Sequence, residues 1–358
     1  MKTVVFTGGG TAGHVLPAVP VMRALRQRGV EVVFIGGAGG LEKRYLEPLG
    51  DIRFFGIASG KLRRYWSWRN LTDAFGVLRG IWQSLWLLGR IRPGVVFSKG
   101  GHLSFPVVLA GWMRRIPIVA HESDFTPGLA NRLAMPFVDV LCTSFPMQRP
   151  KSLRGDLAHT GSPVRPELLA GSADRGRALL QAPPGRPVLL VTGGSLGADA
   201  LNAVVAEAAP ELVRHCCLAH VCGPGKAAGP ELRGYRRYEY VGADWGDMLA
   251  AADLVVSRAG SNTLFELLTL GKPNLLVPLP ARASRGDQLE NAGYAARAGY
   301  SRVIEQHELN AGALVSAVLA MLLEREAWAA RLARFEALPA VDLLVGQIER
   351  TGTREKPG

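Results

Sequence analysis

Ser257–Pro273 reads SRAGSNTLFELLTLGKP and follows the apolar run Ala252–Val256. A short apolar run bounded by a turn reads as a buried parallel strand. The polar turn Arg258-Ala259-Gly260-Ser261-Asn262 then leads into a predicted helix, Thr263–Leu270, with Gly271 as its C-terminal glycine and Pro273 as its stop. The next strand is expected at Asn274–Pro278. A strand, a glycine turn and a helix N-terminus form an anion site, because unpaired N–H groups converge there and the helix dipole favours negative charge. Glu266 lies about one turn into the helix, where its carboxylate can lean back toward a ligand over the turn. A diphosphate on the turn and a ribose diol on Glu266 describe a nucleoside-diphosphate site. The plainer alternative is an ordinary strand–turn–helix with Glu266 in solvent.

The same unit recurs along the chain. Val4–Thr7 is a strand that runs into Gly8-Gly9-Gly10-Thr11-Ala12-Gly13-His14, a helix at Pro17–Gln27 and a strand at Glu31–Ile35. Pro187–Thr192 repeats the opening, with Gly193–Ala198 as its loop and a helix through Ala209. Between them come strand Val95–Ser98 with the loop Lys99-Gly100-Gly101, and strand Pro117–Ala120 delivering His121-Glu122-Ser123-Asp124. Later strands are expected at Leu218–Cys222, Tyr238–Val241, Leu254–Val256, Asn274–Val277 and Ser301–Ile304. Alternating strands and helices predict an α/β protein of two doubly wound, Rossmann-like domains, 1–163 and 164–340. The last helix, 341–350, is free to cross back to the first domain. Ligands of such sheets lie at the carboxyl ends of strands, so the function belongs in a cleft across which the two domains face each other. The first loop distorts the G-x-G-x-x-G fingerprint and no acidic residue ends the second strand, which argues against a nicotinamide enzyme.

Composition agrees with two cores and an acidic partner. The 358 residues are 48% apolar, include 43 glycines and carry a formal net charge of +12. That excess points to nucleic acid, anionic lipid or a phosphorylated substrate. Four cysteines without paired spacing fit a reducing compartment. His215-Cys216-Cys217 with His220 and Cys222 resembles a metal cluster in composition only, because strand alternation would split the side chains between faces. Met1-Lys2 leads straight into a strand, so no signal peptide is expected, and no uncharged stretch reaches the length of a membrane span.

Lys61–Arg92 concentrates the positive charge, with Lys61, Arg63, Arg64, Arg69, Arg79, Arg90 and Arg92 against Asp73 alone. Trp66, Trp68, Trp82 and Trp86 are interleaved with these cations, while Leu71, Phe75, Leu78, Ile81, Leu85 and Leu88 recur at helical spacing and are expected to face the core. Tryptophan and arginine together suit an interfacial helix, with rings at the headgroup level and charge toward anionic lipid. Trp112 could extend the patch. The alternative is a wide core helix with a solvated basic end.

GGGTAGHVLPA (Gly8–Ala18), FSKGGHLSFP (Phe97–Pro106), HESDFTPGLANR (His121–Arg132), GSPVR (Gly161–Arg165), VTGGSLGA (Val191–Ala198), SRAGSNTLFELLTLGKP and DQLENA (Asp287–Ala292) occur in order from Val4 to about Val345. This set resembles the MurG family of bacterial peptidoglycan glycosyltransferases. The resemblance implies the GT-B fold and transfer of N-acetylglucosamine from UDP-GlcNAc to lipid I (undecaprenyl-pyrophosphoryl-MurNAc-pentapeptide), making lipid II. Carried over by motif, Glu266 would bind the ribose, Ser261 with Asn262, Thr263 and Ser195 the diphosphate, and Gln288 the sugar hydroxyls. Arg165 and Arg258 would lie near the donor, main-chain groups near Gly242 would pair with uracil, and Thr11, Ala12, Gly13 and Asp124 would meet the sugar. The acceptor pyrophosphate would lie at Gly9, Gly10, Lys99, Gly100 and Gly101. Two departures stand out: Asp124 where many members have Asn, and Asp287 where they have a second glutamine. Ala12 replaces a common glycine, and its Cβ limits how closely backbone and ligand approach.

The implied reaction is an inverting displacement by the acceptor sugar's 4-hydroxyl, which needs a base within hydrogen-bond reach. His14 is the candidate, since an imidazole ordinarily titrates near neutrality, and Glu122 is its rival. No Asp-x-Asp pair is present in the sequence, so the helix end at Ser261–Thr263 and nearby arginines are expected to stabilise the leaving diphosphate without a metal or other cofactor. The expected partners are UDP-GlcNAc, lipid I and an anionic membrane surface, not nucleic acid. The expected location is peripheral, on the cytoplasmic face of the bacterial cell membrane. Three other classes remain open on sequence: a UDP-sugar transferase acting on diacylglycerol, a UDP-GlcNAc 2-epimerase, and a nucleotide-binding membrane adaptor without turnover.

Overall fold

The computed structural model describes residues 1–10, 12–50, 52–58, 60, 69–194 and 197–353. The chain divides into two compact units, Met1–Pro163 with the segment from Leu338 onward, and Val164–Ala337.

The first unit is built on seven strands: β1 (Thr3–Thr7), β2 (Glu31–Gly37), β3 (Arg53–Ile57), β4 (Val95–Ser98), β5 (Ile118–Glu122), β6 (Val140–Thr143) and β7 (Asp156–His159). Their order is β3-β2-β1-β4-β5-β6-β7, and every pairing is parallel. The inner strands β1, β4 and β5 are buried along their whole length and mostly apolar, because helices cover both faces. On one face Phe6, Phe34 and Phe97 pack with Met22 and Leu25 of helix Val19–Gln27 and with Leu344, Val345 and Ile348 of the last helix, Ala340–Thr353. On the other, Val5, Val33 and Val96 meet Leu87 and Leu88 of helix Arg69–Ile91 and Val107 and Val108 of helix Ser104–Met113. The connection order reverses between β1 and β4, so the loops Gly8–His14 and Lys99–Gly101 lie side by side at the switch point.

The second unit repeats the plan with β8 (Val188–Thr192), β9 (Cys217–Val221), β10 (Tyr235–Tyr238), β11 (Leu254–Ser257), β12 (Asn274–Leu276) and β13 (Arg302–Val303), ordered β10-β9-β8-β11-β12-β13 and all parallel. Its switch point falls between β8 and β11. Cys216 and Cys217 are buried in opposite layers, as strand alternation requires.

Three elements differ from the sequence expectation. Strand β10 occupies Tyr235–Tyr238 rather than Tyr238–Val241. An edge strand, β7, stands at Asp156–His159, where none is expected from the sequence. In helix Arg69–Ile91, Phe75 and Leu78 are 71% and 64% exposed rather than facing the core. The inward stripe is Gly80, Ser84, Leu87 and Leu88 instead, since small residues let the helix approach Ala58 and Pro106 closely.

Candidate active site

In the second unit, β11 ends at Ser257 and a three-residue turn leads into helix Ser261–Thr269. The helix begins two residues earlier than the sequence suggests, so Ser261 and Asn262 form its first turn rather than the preceding loop. Gly260 is the N-cap, extended at φ −67° and ψ 135°, and carries no side chain to cap the amides that follow. The other end closes with the Gly271 N–H on Leu268 O (3.1 Å) and the Lys272 N–H on Leu267 O (2.9 Å), with Gly271 left-handed at φ +62°. The N-terminal amides therefore face outward at the carboxyl end of β11, where the dipole favours an anion.

A cavity of about 340 Å³ opens at this switch point, lined on one side by Gly193, Gly194 and Gly197 and on the other by Arg258, Thr263 and Gln288. Arg258 is 7% exposed; its Nη1 donates to Val277 O at 3.1 Å, and its Nε has no partner. Burial holds its guanidinium below the usual range, a cation kept in a poorly solvated place beside an anion site. Gln288 accepts the Leu279 N–H through Oε1 at 3.0 Å, which fixes the amide plane against the wall. Gln306 also lines the cavity, with its Oε1 buried and unpartnered. It was not anticipated from sequence, although its position just after β13 is where the carboxyl-end rule would look.

Glu266 and Arg165, both expected at the donor, are brought together with each other. Arg165 Nε and Nη2 donate to Glu266 Oε1 at 3.3 and 3.1 Å. Burial pushes the Glu266 carboxyl above its ordinary value and Arg165 pulls it back. Among the described residues Oε2 has no hydrogen-bond partner, so it remains open to a ligand. Gly242 lies in an exposed loop outside the cavity lining, with its carbonyl accepting from the Trp245 N–H at 3.2 Å. Ser195 and Thr11 lie outside the described residues.

In the first unit the two glycine loops pack on each other. A Cβ at Gly101 would stand 3.0 Å from His14 Cδ2, and one at Gly8 would stand 3.0 Å from the Lys99 Cβ. His14 is half-buried in the short helix Ala12–Val15, which also contains the backbone of Ala12 and Gly13. Gly9 and Gly10 border Glu42, and the Gly10 N–H donates to Glu42 Oε1 at 3.0 Å. That amide, expected on the acceptor pyrophosphate, is engaged by Glu42.

Lys99, also expected at the acceptor pyrophosphate, has partners of its own. It is 2% exposed, and its Nζ is turned inward onto His121 Nδ1 and Ser123 Oγ rather than toward Gly100–Gly101 and a phosphate. His121 Nε2 lies 3.1 Å from Gly161 O, which can only accept, so Nε2 carries the proton and Nδ1 accepts from Lys99. Burial, opposed by Glu122, brings Lys99 down to about 7, and burial beside Lys99 holds His121 well below its ordinary value. Glu122 also has a structural task. Its carboxylate accepts the Asp124 N–H (3.0 Å), the Gly128 N–H (2.9 Å) and Asn131 Nδ2 (2.8 Å), and so folds the loop that carries Asp124. Its pKa is raised by burial, but both oxygens are engaged, which disfavours it as the rival base.

The basic-aromatic stretch forms helix Arg69–Ile91, with Trp82 and Trp86 69% and 54% exposed. Arg90 lies 5.6 Å over the Trp86 ring. Helix Ser104–Met113 is tied alongside, as Arg114 just beyond it donates to Leu85 O, and it ends in the exposed Trp112 and Met113. Arg63, Arg64 and the Arg69 side chain lie outside the described residues. No helix among the described residues is long and apolar enough to cross a membrane.

The chain is similar to known proteins along nearly its whole length. The glycosyltransferase family 28 N-terminal domain matches residues 4–142 and the family's C-terminal domain matches residues 188–344. The UDP-N-acetylglucosamine–N-acetylmuramyl-(pentapeptide) pyrophosphoryl-undecaprenol N-acetylglucosamine transferase of Legionella pneumophila (strain Paris) is 42% identical, over 99% of this chain and 98% of its own. The enzyme of the same name from Lachnospira eligens is 43% identical, over 98% and 99%. Among solved structures, MurG of Acinetobacter baumannii superposes with a TM-score of 0.77 at 24% identity, over 98% of this chain and all of that one, which supports the fold. With both family domains matched in order and full-length relatives above two-fifths identity, the chain belongs to glycosyltransferase family 28, in its MurG branch.

Proposed function

We propose that the chain transfers N-acetylglucosamine from UDP-GlcNAc to the 4-hydroxyl of the N-acetylmuramyl sugar of lipid I, making lipid II for peptidoglycan. The observation that carries the donor half is the cavity between Gly193–Gly197 and Arg258–Thr263, with the uncapped start of helix Ser261–Thr269 at its edge. The diphosphate lies on the amides of Ser261, Asn262 and Thr263, with Arg258 and Ser195 beside it. Glu266 accepts from the ribose hydroxyls through Oε2, while Arg165 holds Oε1 and acts through that contact. Gln288 reads sugar hydroxyls, and main-chain groups at Gly242 take the uracil.

In the reaction, the acceptor oxygen bonds to the anomeric carbon as the carbon–phosphate-oxygen bond breaks, and UDP leaves with the electron pair. His14 takes the hydroxyl proton. Its position against Gly101 supports this role, since the histidine stands where the two acceptor loops meet. Charge on the departing diphosphate is stabilised by the helix N-terminus and Arg258, which are oriented before the reaction begins. Gly9, Gly100 and Gly101 lack side chains, so their backbone can approach the acceptor pyrophosphate closely. Ala12, Gly13 and Asp124 remain candidates for the sugar. We further propose that Phe75, Leu78, Trp82 and Trp86 seat the protein on an anionic bilayer, at the cytoplasmic face where the lipid-linked acceptor is presented. The solvent exposure of this apolar stripe, flanked by the exposed Arg79 and Arg90, supports that reading.

The test is transfer of label from UDP-[¹⁴C]GlcNAc into a lipid I analogue. A lipid-linked GlcNAc-β-1,4-MurNAc disaccharide is expected. Label entering diacylglycerol in preference to lipid I would replace this reading with the other lipid acceptor.

A further inference from the structure

Glu42 belongs to none of the groups assigned above. It is the second residue of the short helix Leu41–Leu46 that follows β2, where a glutamate would ordinarily point into water. It is 3% exposed instead. Its carboxylate is turned under the first glycine loop, accepting the Gly10 N–H at 3.0 Å through Oε1 and facing the Gly37 N–H at 3.4 Å through Oε2. Those two amides lie beyond the carboxyl ends of different strands, Gly10 after β1 and Gly37 at the end of β2. Gly10 has φ +96°, and the space a Cβ would need at Gly9 is filled by Glu42 Oε1 and Leu103 Cδ1. The course of the loop is therefore imposed from beneath. A buried carboxylate is tolerated only with donors to hold it, and here they are one amide of the loop, Gly10, and one at the end of β2, Gly37.

We infer that Glu42 is a positioning residue for the transfer reaction, fixing Gly8–Gly10 so that the loop ending four residues before His14 presents the base to the acceptor. This rests on the transferase reading. Glu42→Gln is nearly isosteric, but it sets an NH₂ group against one of the two N–H donors and so releases one anchor. Glu42→Ala releases both.

Three measurements test the role. Steady-state transfer with saturating UDP-GlcNAc should show kcat lowered roughly 10–100-fold in Glu42→Gln, the scale for an ångström-sized misplacement of a reacting group. UDP affinity by calorimetry should stay within about twofold of wild type, because the donor contacts are elsewhere. Amide hydrogen exchange, read without substrate, should show the Gly10 N–H exchanging at least about tenfold faster in Glu42→Ala, which offers it no acceptor, while in Glu42→Gln whichever of Gly10 and Gly37 faces the NH₂ group exchanges faster. Wild-type kcat per folded molecule in both variants would overturn the inference and leave Glu42 as a stabilising contact only. Unchanged exchange at Gly10 in Glu42→Ala would overturn it as well. A wild-type protein that turns over no lipid I analogue would count against the transferase reading, while the exchange experiment would still decide whether Glu42 holds the loop.

Discussion

Replacing Glu266 with alanine probes the donor site where its geometry is most specific. The Glu266 side chain is 15% exposed and Arg165 binds only Oε1, so Oε2 is the atom that would meet the ribose diol. Hydrogen bonds to a charged group contribute about 1.5–3 kcal/mol, which at about 1.4 kcal/mol per tenfold predicts UDP binding weaker by roughly 10–150-fold. Arg165, left without its partner, is 32% exposed and can turn to water, so little of the loss would come from an abandoned buried charge. Titration calorimetry with UDP and with 2′,3′-dideoxy-UDP separates the contact from a general disturbance. The alanine variant should bind UDP poorly, yet bind the analogue about as well as wild type does. Since burial lifts the Glu266 carboxyl above its ordinary 4.5, UDP affinity should also begin to fall at a higher pH than for a solvated carboxylate, as the proton removes an acceptor. Unchanged UDP affinity in Glu266→Ala, or equal losses with UDP and the dideoxy analogue, would remove Glu266 from the ribose.

Other perturbations read separate parts of the account. His14→Ala should lower kcat by about 10²–10⁴ with UDP affinity preserved, and turnover near the wild-type rate would place the base elsewhere. Lys99 is held at about 7 against an ordinary 10.5, so between those values the unfolded chain carries a proton that the folded chain lacks. Stability from this group therefore rises with pH across that window and gains nothing below it; Lys99→Met should flatten the rise in denaturant titrations at neutral and alkaline pH. Replacing Phe75, Trp82 and Trp86 with serine should reduce co-sedimentation with phosphatidylglycerol vesicles while a water-soluble acceptor is still turned over, and equal vesicle binding would return the helix to an ordinary surface role. Activity should persist in EDTA if, as proposed, the helix N-terminus and Arg258 stabilise the leaving diphosphate, and strict dependence on added Mg²⁺ or Mn²⁺ would contradict that role.

Much of this fold is visible in the sequence because buried parallel strands are uninterrupted apolar runs ending in glycine loops. Val188–Thr192 and Leu254–Ser257 read that way and form β8 and β11. Strand β10 does not, since Arg236 and Arg237 sit in its middle, and only the folded chain shows Arg236 donating to Leu180 O and Arg237 to Pro230 O. Strand β7 is a partly exposed edge with no apolar run to announce it. The exposed stripe of helix Arg69–Ile91 was hidden for another reason. The helix is apolar on two sides, and periodicity cannot say that small residues, Gly80 and Ser84, are the ones turned inward. At the site, the turn after β11 and the motifs of the family resemblance pointed to Arg258, Thr263 and Gln288, which line one cavity. They could not show that Arg165 and Glu266 pair, that Lys99 turns away from its loop, or that Glu42 lies beneath another, because each depends on side-chain direction set by distant packing.

The central claim is transfer to a lipid-linked acceptor, and UDP release from UDP-GlcNAc measured with and without a lipid I analogue tests it most directly. Release that depends on the analogue, with one GlcNAc gained per UDP formed, is the predicted result. Release at the same rate without any acceptor, or conversion of UDP-GlcNAc to its 2-epimer, would contradict it.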